Sequence, residues 1–506
     1  MLTGFGNNYL QEFSDYIALE TGLFFPEERW NDMERNLRSI SKDFGYNDVK
    51  SFVRWIASGK CSKEQIEIMA HHLTVGETYF FREKNCFEIL RKQLIPELIK
   101  LRENNIRTIR IWSAGCCTGE EAYSVAILLK ELIPDIHRWS ISILGTDLNT
   151  KFLKKAERGI YSVWSFRENS DWIQEKYFKK HGHNEFEIIP AIRNMVKFSY
   201  LNLVEDAFPS LLTGTHSIDF LFCRNVLMYF SNETARKIIN RFYKSITDEG
   251  WLLLSSVETN IIRDMQLNAV MISGQTFYRK NLEKYHAADS NVAESFPFYT
   301  DEAKVDELPV FHFIEEAKDN VETIIPEGIV HAKKEAVPVD GDKELYREAT
   351  EDFEQGNYGK AIEKLQTLVS KNHGRNAAAA MLLAKSYANQ GNLLEAYNMI
   401  ELALKTDKTN VEYHFYHATI LQAAGKMTEA LESFRKVLFL DHDLVVAHFA
   451  IASILQNIGK QKEAQKYYNN SLSLLEKYDD DDVLTASEGI TAGRLKKIIL
   501  AVNHHK

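Results

Sequence analysis

Two carboxylates stand at the start of a predicted helix, directly after a predicted strand that ends in small residues. The stretch reads Ile111-Trp-Ser-Ala-Gly-Cys-Cys-Thr-Gly-Glu-Glu121. Small residues such as Gly115 let the backbone approach a ligand, and a helix start offers unpaired N–H groups. Glu120 and Glu121 would repel a pyrophosphate but accept hydrogen bonds from an ammonium group or from hydroxyls. The other interpretation is that they only stabilise the helix N-terminus, so this stretch alone leaves ligand binding open.

A third carboxylate, Asp147, closes the next predicted strand in the stretch Gly145-Thr-Asp147-Leu-Asn149. An acidic residue at the tip of the second strand hydrogen-bonds ribose hydroxyls in nucleotide-binding doubly wound folds. An N-cap for the helix that starts at Lys151 is the alternative interpretation. The chain lacks the Gly-x-Gly-x-x-Gly loop of a dinucleotide site here. Together the two stretches indicate an adenosine-bearing ligand without phosphates, a profile that S-adenosylmethionine has.

The elements that must position these carboxylates lie between about residues 86 and 285, where predicted strands and helices alternate. The strands are predicted over 107–112, 139–145, 218–223 and 251–257, and the helices over 119–133, 151–157 and 232–246. This alternation implies a parallel, doubly wound sheet. In such sheets ligands bind at the carboxyl ends of the strands, which is where the carboxylates are predicted to lie.

A repeat of about 34 residues fills the C-terminal third of the chain. A glycine followed five residues later by an alanine recurs at spacings of 35, 34 and 34 residues, at Gly356, Gly391, Gly425 and Gly459. Two helices and a glycine turn at this period are typical of tetratricopeptide repeats, which stack into a superhelix with a concave surface for partners. The aromatics expected to pack inside the repeats are Tyr387, Tyr416 and Phe449.

The charge of the chain is unevenly distributed. The 506 residues carry 61 Lys and Arg against 71 Asp and Glu, a net charge of −10, and residues 287–340 alone hold 13 acidic side chains, 4 lysines and four of the nine prolines. Such a segment is expected to be a solvated linker that separates two nearly neutral folded units. The acidic total also disfavours a nucleic-acid partner.

Signals for export, membrane insertion and metal binding are all missing from the sequence. The N-terminus has no basic and apolar leader, and no apolar run approaches the ~20 residues of a membrane span. The five cysteines, Cys61, Cys86, Cys116, Cys117 and Cys223, have no metal-ligand spacing. The vicinal pair is either redox-active or, as we favour, a pair of small residues in a tight turn. We predict a cytoplasmic protein that is not membrane-inserted and has no metal site.

Four stretches resemble, in order, the CheR-type chemoreceptor glutamate methyltransferases. They are Leu73-Thr-Val-Gly-Glu-Thr78-Tyr-Phe-Phe-Arg82-Glu83, Ser113–Ser124, Gly145–Asp147 with Arg158-Gly-Ile-Tyr161, and Phe222-Cys-Arg-Asn225-Val-Leu-Met-Tyr229-Phe230, with Asn202-Leu203 before the last. The resemblance spans about residues 5–285, and CheR chains extended by tetratricopeptide repeats are a familiar arrangement in that family.

The resemblance implies an α/β protein with a doubly wound, Rossmann-like, S-adenosylmethionine-dependent methyltransferase domain that carries a small β-subdomain. An N-terminal helical subdomain precedes it, and an all-α tetratricopeptide superhelix follows the acidic linker. The predicted boundaries are 1–85 for the N-terminal helices, 86–286 for the methyltransferase, 287–340 for the linker, 341–476 for the repeats and 477–506 for a helical cap or tail.

The resemblance also implies which residues line the pocket for S-adenosyl-L-methionine. They are Thr78, Arg82, Glu121, Asp147, Asn202, Leu203, Arg224 and Asn225, and Gly115 joins them from the strand-end argument above. Arg82 and Tyr229 match the residues nearest the transferred methyl group and are the predicted catalytic residues. Gly76 departs from the family, since many members have there an asparagine that contacts the cofactor. The segment 178–198 is also shorter than in members that dock a receptor's C-terminal pentapeptide.

The activity implied is methylation of glutamate side chains on the cytoplasmic domains of transmembrane chemoreceptors, with release of S-adenosyl-L-homocysteine. The repeats are expected to recruit or regulate through an unidentified protein partner. A catalytically silent scaffold that senses the cofactor and acts through its repeats is the alternative, motivated by Gly76. A DNA or RNA amino-methyltransferase is disfavoured, because the turn at 224–227 lacks the prolines that such enzymes commonly place there.

Overall fold

The computed structural model describes residues 8–58, 61–103, 107–167, 171–205, 207–262, 265–280, 340–371 and 376–503. The predicted acidic linker, 287–340, lies outside these ranges except for its last residue. Within the described ranges, no helix has both the length and the apolar character that a membrane span requires.

Four helices pack around an apolar cluster at the N-terminal end of the chain. They are α1 (Asn8–Thr21), α2 (Trp30–Asp43), α3 (Val49–Ala57) and α4 (Lys63–Leu73). Local side chains fix two of the helix starts. The Asp48 side chain accepts from Ser51 N at the start of α3, and Ser62 with Gln65 forms a capping box at α4. The expected short helices of this region are therefore present.

The region from residue 84 to residue 280, called here the α/β region, alternates helices with strands. Its helices are α5 (Lys84–Ile89), α6 (Ile95–Arg102), α7 (Glu120–Leu132), α8 (Thr150–Arg158), α9 (Asp171–Tyr177), α10 (Pro190–Arg193) and α11 (Asn232–Ser245). Its strands are β1 (Thr108–Ala114), β2 (Ser140–Asp147), β3 (Ile160–Ser162), β4 (Phe178–Lys180), β5 (Glu185–Ile188), β6 (Val196–Tyr200), β7 (Ile218–Phe222), β8 (Ile246–Leu253), β9 (Asn268–Ile272) and β10 (Gln275–Arg279).

Seven of these strands form one sheet in the order β6-β2-β1-β7-β8-β10-β9, and β3-β5-β4 form a small antiparallel sheet. β1 is parallel to both of its neighbours, β2 and β7. The chain runs outward from β1 in one direction through β2 and later in the other through β7, so the strand order reverses at β1. The predicted doubly wound α/β fold with a small β-subdomain is confirmed, and its switch point lies between β1 and β7.

One predicted strand is misplaced. The sequence indicated a strand over 251–257, but β8 begins at Ile246 and ends at Leu253, and Ser256–Glu258 form a short 3-10 turn. The physical reason is a capping box: the Ser255 and Glu258 side chains each bond the other residue's backbone and draw the chain out of the sheet.

Paired helices fill the C-terminal part of the chain, as the 34-residue period predicts. They are α12 (Asp340–Gln355), α13 (Tyr358–Lys371), α14 (Ala377–Asn389), α15 (Leu393–Thr406), α16 (Val411–Ala423), α17 (Met427–Leu440), α18 (Val445–Asn457) and α19 (Gln461–Leu475), followed by α20 (Ala492–Asn503). The glycine after the first helix of each pair has φ between 79° and 82°, a left-handed conformation that costs glycine little. The tetratricopeptide prediction is confirmed.

The repeats lie directly against the α/β region, and these contacts are called here the repeat interface. Lys280 Nζ donates to the carbonyls of Ile246 and Gly356, both at 3.0 Å. On α20, Arg494 Nη2 donates to Tyr200 O at the end of the edge strand β6, at 2.8 Å. The expectation that the two units are kept apart is therefore wrong. It rested on charge counts, which carry no information about which apolar faces pack together.

Candidate active site

A tight turn follows β1 and brings backbone to the carboxyl edge of the sheet. Gly115 has φ 76°, and a Cβ there would lie 2.4 Å from Val226 Cγ2 on the loop after β7. Glycine is therefore required both by conformation and by the close approach of the two loops. Cys116 and Cys117 are free thiols within this turn, and burial raises the pKa of both. Such thiols are poor nucleophiles, in keeping with a structural role in the turn.

The two glutamates at the start of α7 point in different directions. Glu120 is buried and accepts from Thr118 Oγ1 at 2.6 Å and Ser165 Oγ at 3.0 Å. Glu121 instead faces the edge of the sheet and accepts from Ser113 Oγ at 2.7 Å. Each of the two interpretations therefore applies to one glutamate. Glu120 stabilises the helix start, and Glu121 is available to bind a ligand.

Asp147 lies at the end of β2 and turns toward the β1 loop. Its carboxylate accepts from the backbone N–H groups of Cys117 and Asn149, both at 2.8 Å. The N-cap of α8 is Asn149, whose side chain accepts from Lys151 N and Phe152 N, so the N-cap interpretation of Asp147 is wrong. Burial raises the pKa of Asp147 to about 6, and the backbone hydrogen bonds oppose that rise.

Arg224 follows β7 and is the charged centre of the site. Its guanidinium lies 2.9 Å from Glu83 Oε2 and 3.3 Å from Glu121 Oε2, and its side chain is 2% exposed. Nη2 also donates to the carbonyl of Arg82 at 2.9 Å. Burial alone would lower the pKa of Arg224, but the nearby acidic groups, Glu121 first, outweigh it and raise the pKa. Arg224 thus ties the loop before α5 to the start of α7.

Arg82 and Tyr229, the two predicted catalytic residues, are half-buried. Arg82 Nη1 donates to Glu77 O at 2.8 Å, and among the described residues no carboxylate lies at salt-bridge distance from its guanidinium. Tyr229 is held from the N-terminal helices, since its carbonyl accepts from Phe24 N at 2.7 Å and its ring centroid lies 5.2 Å from the Arg29 guanidinium. Burial raises the pKa of Tyr229, so its phenol is protonated at neutral pH.

These side chains surround one cavity of about 300 Å³ at the carboxyl ends of β1, β2 and β7. All ten predicted site residues line it: Thr78, Arg82, Gly115, Glu121, Asp147, Asn202, Leu203, Arg224, Asn225 and Tyr229. Residues from the N-terminal helices, including Leu23 and Leu73, close one side. Neither histidine nor lysine is among the described residues that line it.

The cavity wall after β7 offers an acceptor to a ligand. Asn225 Oδ1 is buried and has no hydrogen-bond partner within the described part of the chain. On the opposite wall, Asn202 Oδ1 accepts from Val204 N at 2.9 Å and holds the turn after β6. A buried carbonyl oxygen without a partner is costly, so Asn225 favours a ligand that brings a donor to this point.

Gly76 lies between Val75 and Glu77, which line the cavity. A Cβ at residue 76 would lie 2.7 Å from Cζ of Phe152, and the Phe152 ring lines the cavity. The ring on α8 therefore takes the space that a side chain at residue 76 would need, including the asparagine that the resemblance leads one to expect there. Sequence reasoning missed Phe152, because nothing in the spacing of Phe152 from Gly76 signals that they meet.

Glu258 is a second residue that the sequence reasoning missed. Its buried carboxylate accepts from the backbone N–H groups of Asn225, Val226 and Leu227, at 3.0, 2.7 and 2.7 Å. It thereby fixes the loop that carries Asn225 and leads to Tyr229, and it is a positioning residue. The signal available was the Ser255-x-x-Glu258 spacing of a capping box, although its second role at the loop after β7 depends on the tertiary fold.

Comparisons with known proteins match both halves of the chain. Residues 76–273 match the family described as CheR methyltransferase, SAM binding domain, and residues 352–415 match a tetratricopeptide repeat family. Chemotaxis protein methyltransferase 1 of Pseudomonas aeruginosa is 35% identical over 251 residues, which cover 49% of this chain and 88% of that protein. Chemotaxis protein methyltransferase 2 of Vibrio cholerae is 31% identical over 250 residues, covering 49% and 84%. The chain belongs to the CheR methyltransferase family.

The cavity of this CheR domain fits S-adenosylmethionine, the cofactor of the family. The cofactor has hydroxyls and ammonium and amino groups that need acceptors, and the walls offer the Asp147 carboxylate, Glu121 and the unpartnered Asn225 oxygen. It has no phosphates, which matches a site whose helix start carries glutamates rather than a glycine-rich phosphate loop. The CheR domain is thus an S-adenosylmethionine-dependent methyltransferase, joined in one chain to tetratricopeptide repeats.

Proposed function

We propose that this CheR-family protein methylates glutamate side chains of chemoreceptors, forming γ-methyl esters and releasing S-adenosyl-L-homocysteine. The cavity residues have the roles predicted from the sequence. Thr78, Gly115, Glu121, Asp147, Asn202, Leu203, Arg224 and Asn225 bind the cofactor together with Arg82, and Arg82 and Tyr229 act at the transferred methyl group.

The observation that carries the choice of acceptor is the absence of a free base among the described residues of the cavity. No histidine or lysine lines it, and each lining carboxylate has a partner. Glu77 pairs with Arg167 at 3.1 Å, Glu121 bonds Ser113 and lies beside Arg224, and Asp147 is held by two backbone N–H groups. An amine or hydroxyl acceptor must lose a proton to a base, whereas a glutamate with a pKa of about 4.3 is already ionised at neutral pH. A carboxylate acceptor therefore needs no base, and methyl transfer to it is compatible with the residues that line this cavity.

Orientation is then the main task of the chain's own residues. The cofactor supplies an electrophilic methyl group on a sulfonium, and in-line attack requires the acceptor oxygen to lie opposite the sulfur. Alignment of this kind is worth about 7–11 kcal/mol of the barrier. Arg82, which has no carboxylate partner among the described residues, is free to orient the acceptor carboxylate with its planar fork. Tyr229, protonated and fixed through Phe24, packs or donates beside it.

The substrate proposed is the cytoplasmic domain of a transmembrane chemoreceptor, and the protein is proposed to act in the cytoplasm. The relatives in Pseudomonas aeruginosa and Vibrio cholerae carry the name chemotaxis protein methyltransferase, which supports a receptor substrate. The repeats are proposed to recruit or regulate through a protein partner. If so, the protein that co-purifies with the full chain should be absent when the chain lacks residues 341–506.

The proposed activity is tested with purified protein, S-adenosylmethionine labelled in its methyl group, and membranes that contain chemoreceptors. We expect base-labile label on receptor glutamates, because methyl esters hydrolyse in base whereas methylamines do not. Arg82→Ala should lower kcat by about 10²-fold and change the dissociation constant for S-adenosylhomocysteine much less. Arg82→Lys is the matched control that keeps the charge and removes the fork. Cofactor binding without label on any receptor would instead favour the catalytically silent scaffold.

A further inference from the structure

The first helices α14 and α18 are buried on more than one side, unlike the second helices of their repeats, whereas α16 buries six of thirteen residues against five of fourteen in α17. In α14, nine of thirteen residues are buried, against three of fourteen in α15. In α18, ten of thirteen are buried, against four of fifteen in α19. A helix that packs only within its own repeat array buries one stripe, as α15 does. The face formed by α14, α16 and α18, called here the first-helix face, is therefore covered.

The cover is a segment of the same chain, residues 207–217, which connects β6 to β7. Leu211 is 6% exposed and packs in the same apolar cluster as Met381, Ala384 and Tyr416 of the repeats. No exposed large apolar side chain lies on α14, α16 or α18, all of which are fully described. The surface that would be open in a free repeat array is thus occupied from within the chain.

Hydrogen bonds fix the position of this segment on the repeats. Leu211 N donates to Glu488 Oε2 at 2.9 Å, and Ser217 Oγ donates to the carbonyl of Ala388 at 2.6 Å. Glu488 lies in the turn before α20, where burial raises the pKa of its carboxyl group. Each bond pairs a backbone group of one unit with a side chain of the other, so the packing has a defined register rather than a general apolar contact.

The same stretch of backbone forms a wall of the cofactor cavity. Leu201, Asn202 and Leu203 line the cavity, and the residue before them, Tyr200, is held by α20. Arg494 on α20 donates to Tyr200 O at 2.8 Å, and its guanidinium lies 4.5 Å from the centroid of the Tyr200 ring. Displacement of Tyr200 from α20 would therefore move the wall that carries Asn202.

We propose that the repeat interface, in which the first-helix face holds segment 207–217 and α20 holds Tyr200 at the start of the same connection between β6 and β7, tightens cofactor binding in the chain's own methyltransferase domain. The inference rests on the proposed function only in taking the cavity as the cofactor site. Binding at the two ends of one segment is coupled, because each end is ordered at lower cost when the other is already fixed. A protein that displaced segment 207–217 from the first-helix face would weaken cofactor binding.

The test uses the full chain and measures the dissociation constant for S-adenosylhomocysteine by calorimetry. Arg494→Ala removes the contact to Tyr200 without touching the cavity, and we expect the dissociation constant to rise at least ~5-fold, the lower end of usual coupling. The matched control is Arg435→Ala on α17, an exposed arginine outside the first-helix face, which should leave the constant unchanged. Equal constants for Arg494→Ala and the native chain would overturn the proposal.

A disulfide tests the docking itself. A Cβ on Gly391 would lie 3.6 Å from Ser217 Cβ, within the ~3.5–4.5 Å between the Cβ atoms of disulfides. Ser217→Cys with Gly391→Cys should cross-link on oxidation, and in the Arg494→Ala background the oxidised form should regain the native affinity while the reduced form does not. The left-handed backbone at Gly391 strains a cysteine in the oxidised and in the reduced protein alike. The difference in affinity between these two forms therefore does not contain that strain. Failure to cross-link would overturn the docking.

Amide exchange in the native chain keeps the proposal testable if Arg494→Ala does not fold. Coupling is reciprocal, so saturating S-adenosylhomocysteine should slow exchange both in 207–217 and in α14. Slowing confined to the cavity residues would contradict the proposal. A native chain that binds no S-adenosylhomocysteine would contradict the proposed function instead, and the two failures are thus distinguishable.

Discussion

The cofactor cavity and the repeat interface each bury a cation, and they hold it by different means. Arg224 in the cavity lies between two carboxylates, Glu83 at 2.9 Å and Glu121 at 3.3 Å. Lys280 at the repeat interface is fully buried but bonds two backbone carbonyls, with its nearest carboxylate, Asp248, at 3.7 Å. The Tyr243 and Tyr358 rings, with centroids 4.6 and 5.0 Å from Nζ, complete its surroundings.

The two sites differ in the pKa of the buried cation and in how far its partners can be predicted from the sequence. A cation paired with carboxylates keeps its charge, and the pKa of Arg224 is raised. A cation among carbonyls and rings holds its proton less tightly, and burial lowers the pKa of Lys280 to about 8 although Asp248 opposes the shift. Carboxylate partners are also Asp or Glu side chains, which a sequence motif can show. Backbone carbonyls belong to every residue, so the sequence does not show which of them bind a lysine. Four predictions test how far this contrast extends.

The largest effect is expected when Arg224 is replaced by methionine, which keeps most of the side-chain volume. The change leaves Glu121, whose side chain is 16% exposed, and the partly exposed Glu83 without their cation. Breaking a buried ion pair costs about 3–5 kcal/mol, and the exposure of Glu83 places the expected cost at the lower end of that range. We expect a correspondingly lower free energy of unfolding for the CheR domain and no measurable binding of S-adenosylhomocysteine. Chemical denaturation followed by tryptophan fluorescence measures the first quantity. Near-native stability would mean that the carboxylates find other partners.

Asp147→Asn should be the next largest change, and its effect is measured on binding. Asparagine has one acceptor oxygen for the two backbone N–H groups of Cys117 and Asn149, so some loss of stability accompanies the loss of affinity. Loss of a charged acceptor for hydroxyls costs about 1.5–3 kcal/mol, or roughly a 10- to 100-fold higher dissociation constant for S-adenosylhomocysteine. With a pKa of about 6 in the free protein, the native carboxyl group is ionised above that pH and protonated below it. Native affinity should therefore fall as the pH drops through 6, whereas the variant's affinity stays flat. Parallel pH profiles by calorimetry would contradict the ribose role.

Lys280→Met should lower the free energy of unfolding by about 1 kcal/mol, which is less than the effect of Arg224→Met. The lost hydrogen bonds destabilise the folded state, but removal of a costly buried charge partly offsets that loss. Between pH 8 and the ordinary lysine pKa of 10.5, the folded state binds fewer protons at Lys280 than the unfolded state does. Its contribution to stability thus rises with pH over that window. Thermal unfolding at pH 8 and pH 10 should show this rise in the native chain and not in the variant.

The smallest effect is expected from Gly76→Asn, which introduces the residue that the resemblance leads one to expect at this position. Because its Cβ would approach the Phe152 ring to 2.7 Å, the ring must leave its rotamer at a cost of about 0.5–1.5 kcal/mol. We expect roughly a threefold higher dissociation constant for S-adenosylhomocysteine. Adding Phe152→Ala should recover the affinity, and Phe152→Ala alone is the control. A single Gly76→Asn variant that binds more tightly than the native chain would refute the idea that the ring fills this space.

The sequence by itself determined the α/β fold, the repeat architecture and ten of the residues that line the cavity. These follow from side-chain identity at fixed spacing: small residues after β1, an aspartate at the end of β2 and glycines every 34 residues. Each of these features is visible in a short stretch of sequence. The carboxyl ends of parallel strands lie at the same edge of the sheet, so residues that follow different strands are expected to meet there. Gly115, Glu121 and Asp147 could thus be named from strand ends alone, and the other seven predicted cavity residues followed from the resemblance to CheR methyltransferases.

Only the tertiary structure decided which of Glu120 and Glu121 faces the cavity, that Phe152 fills the space beside Gly76, that Glu258 holds the loop after β7, and that the repeats pack on segment 207–217. These depend on atoms that lie far apart in the chain, and several depend on backbone N–H and carbonyl groups that every residue has. Charge and periodicity predicted where the methyltransferase ends and where the repeats begin. They carried no information about the apolar faces through which the two units meet.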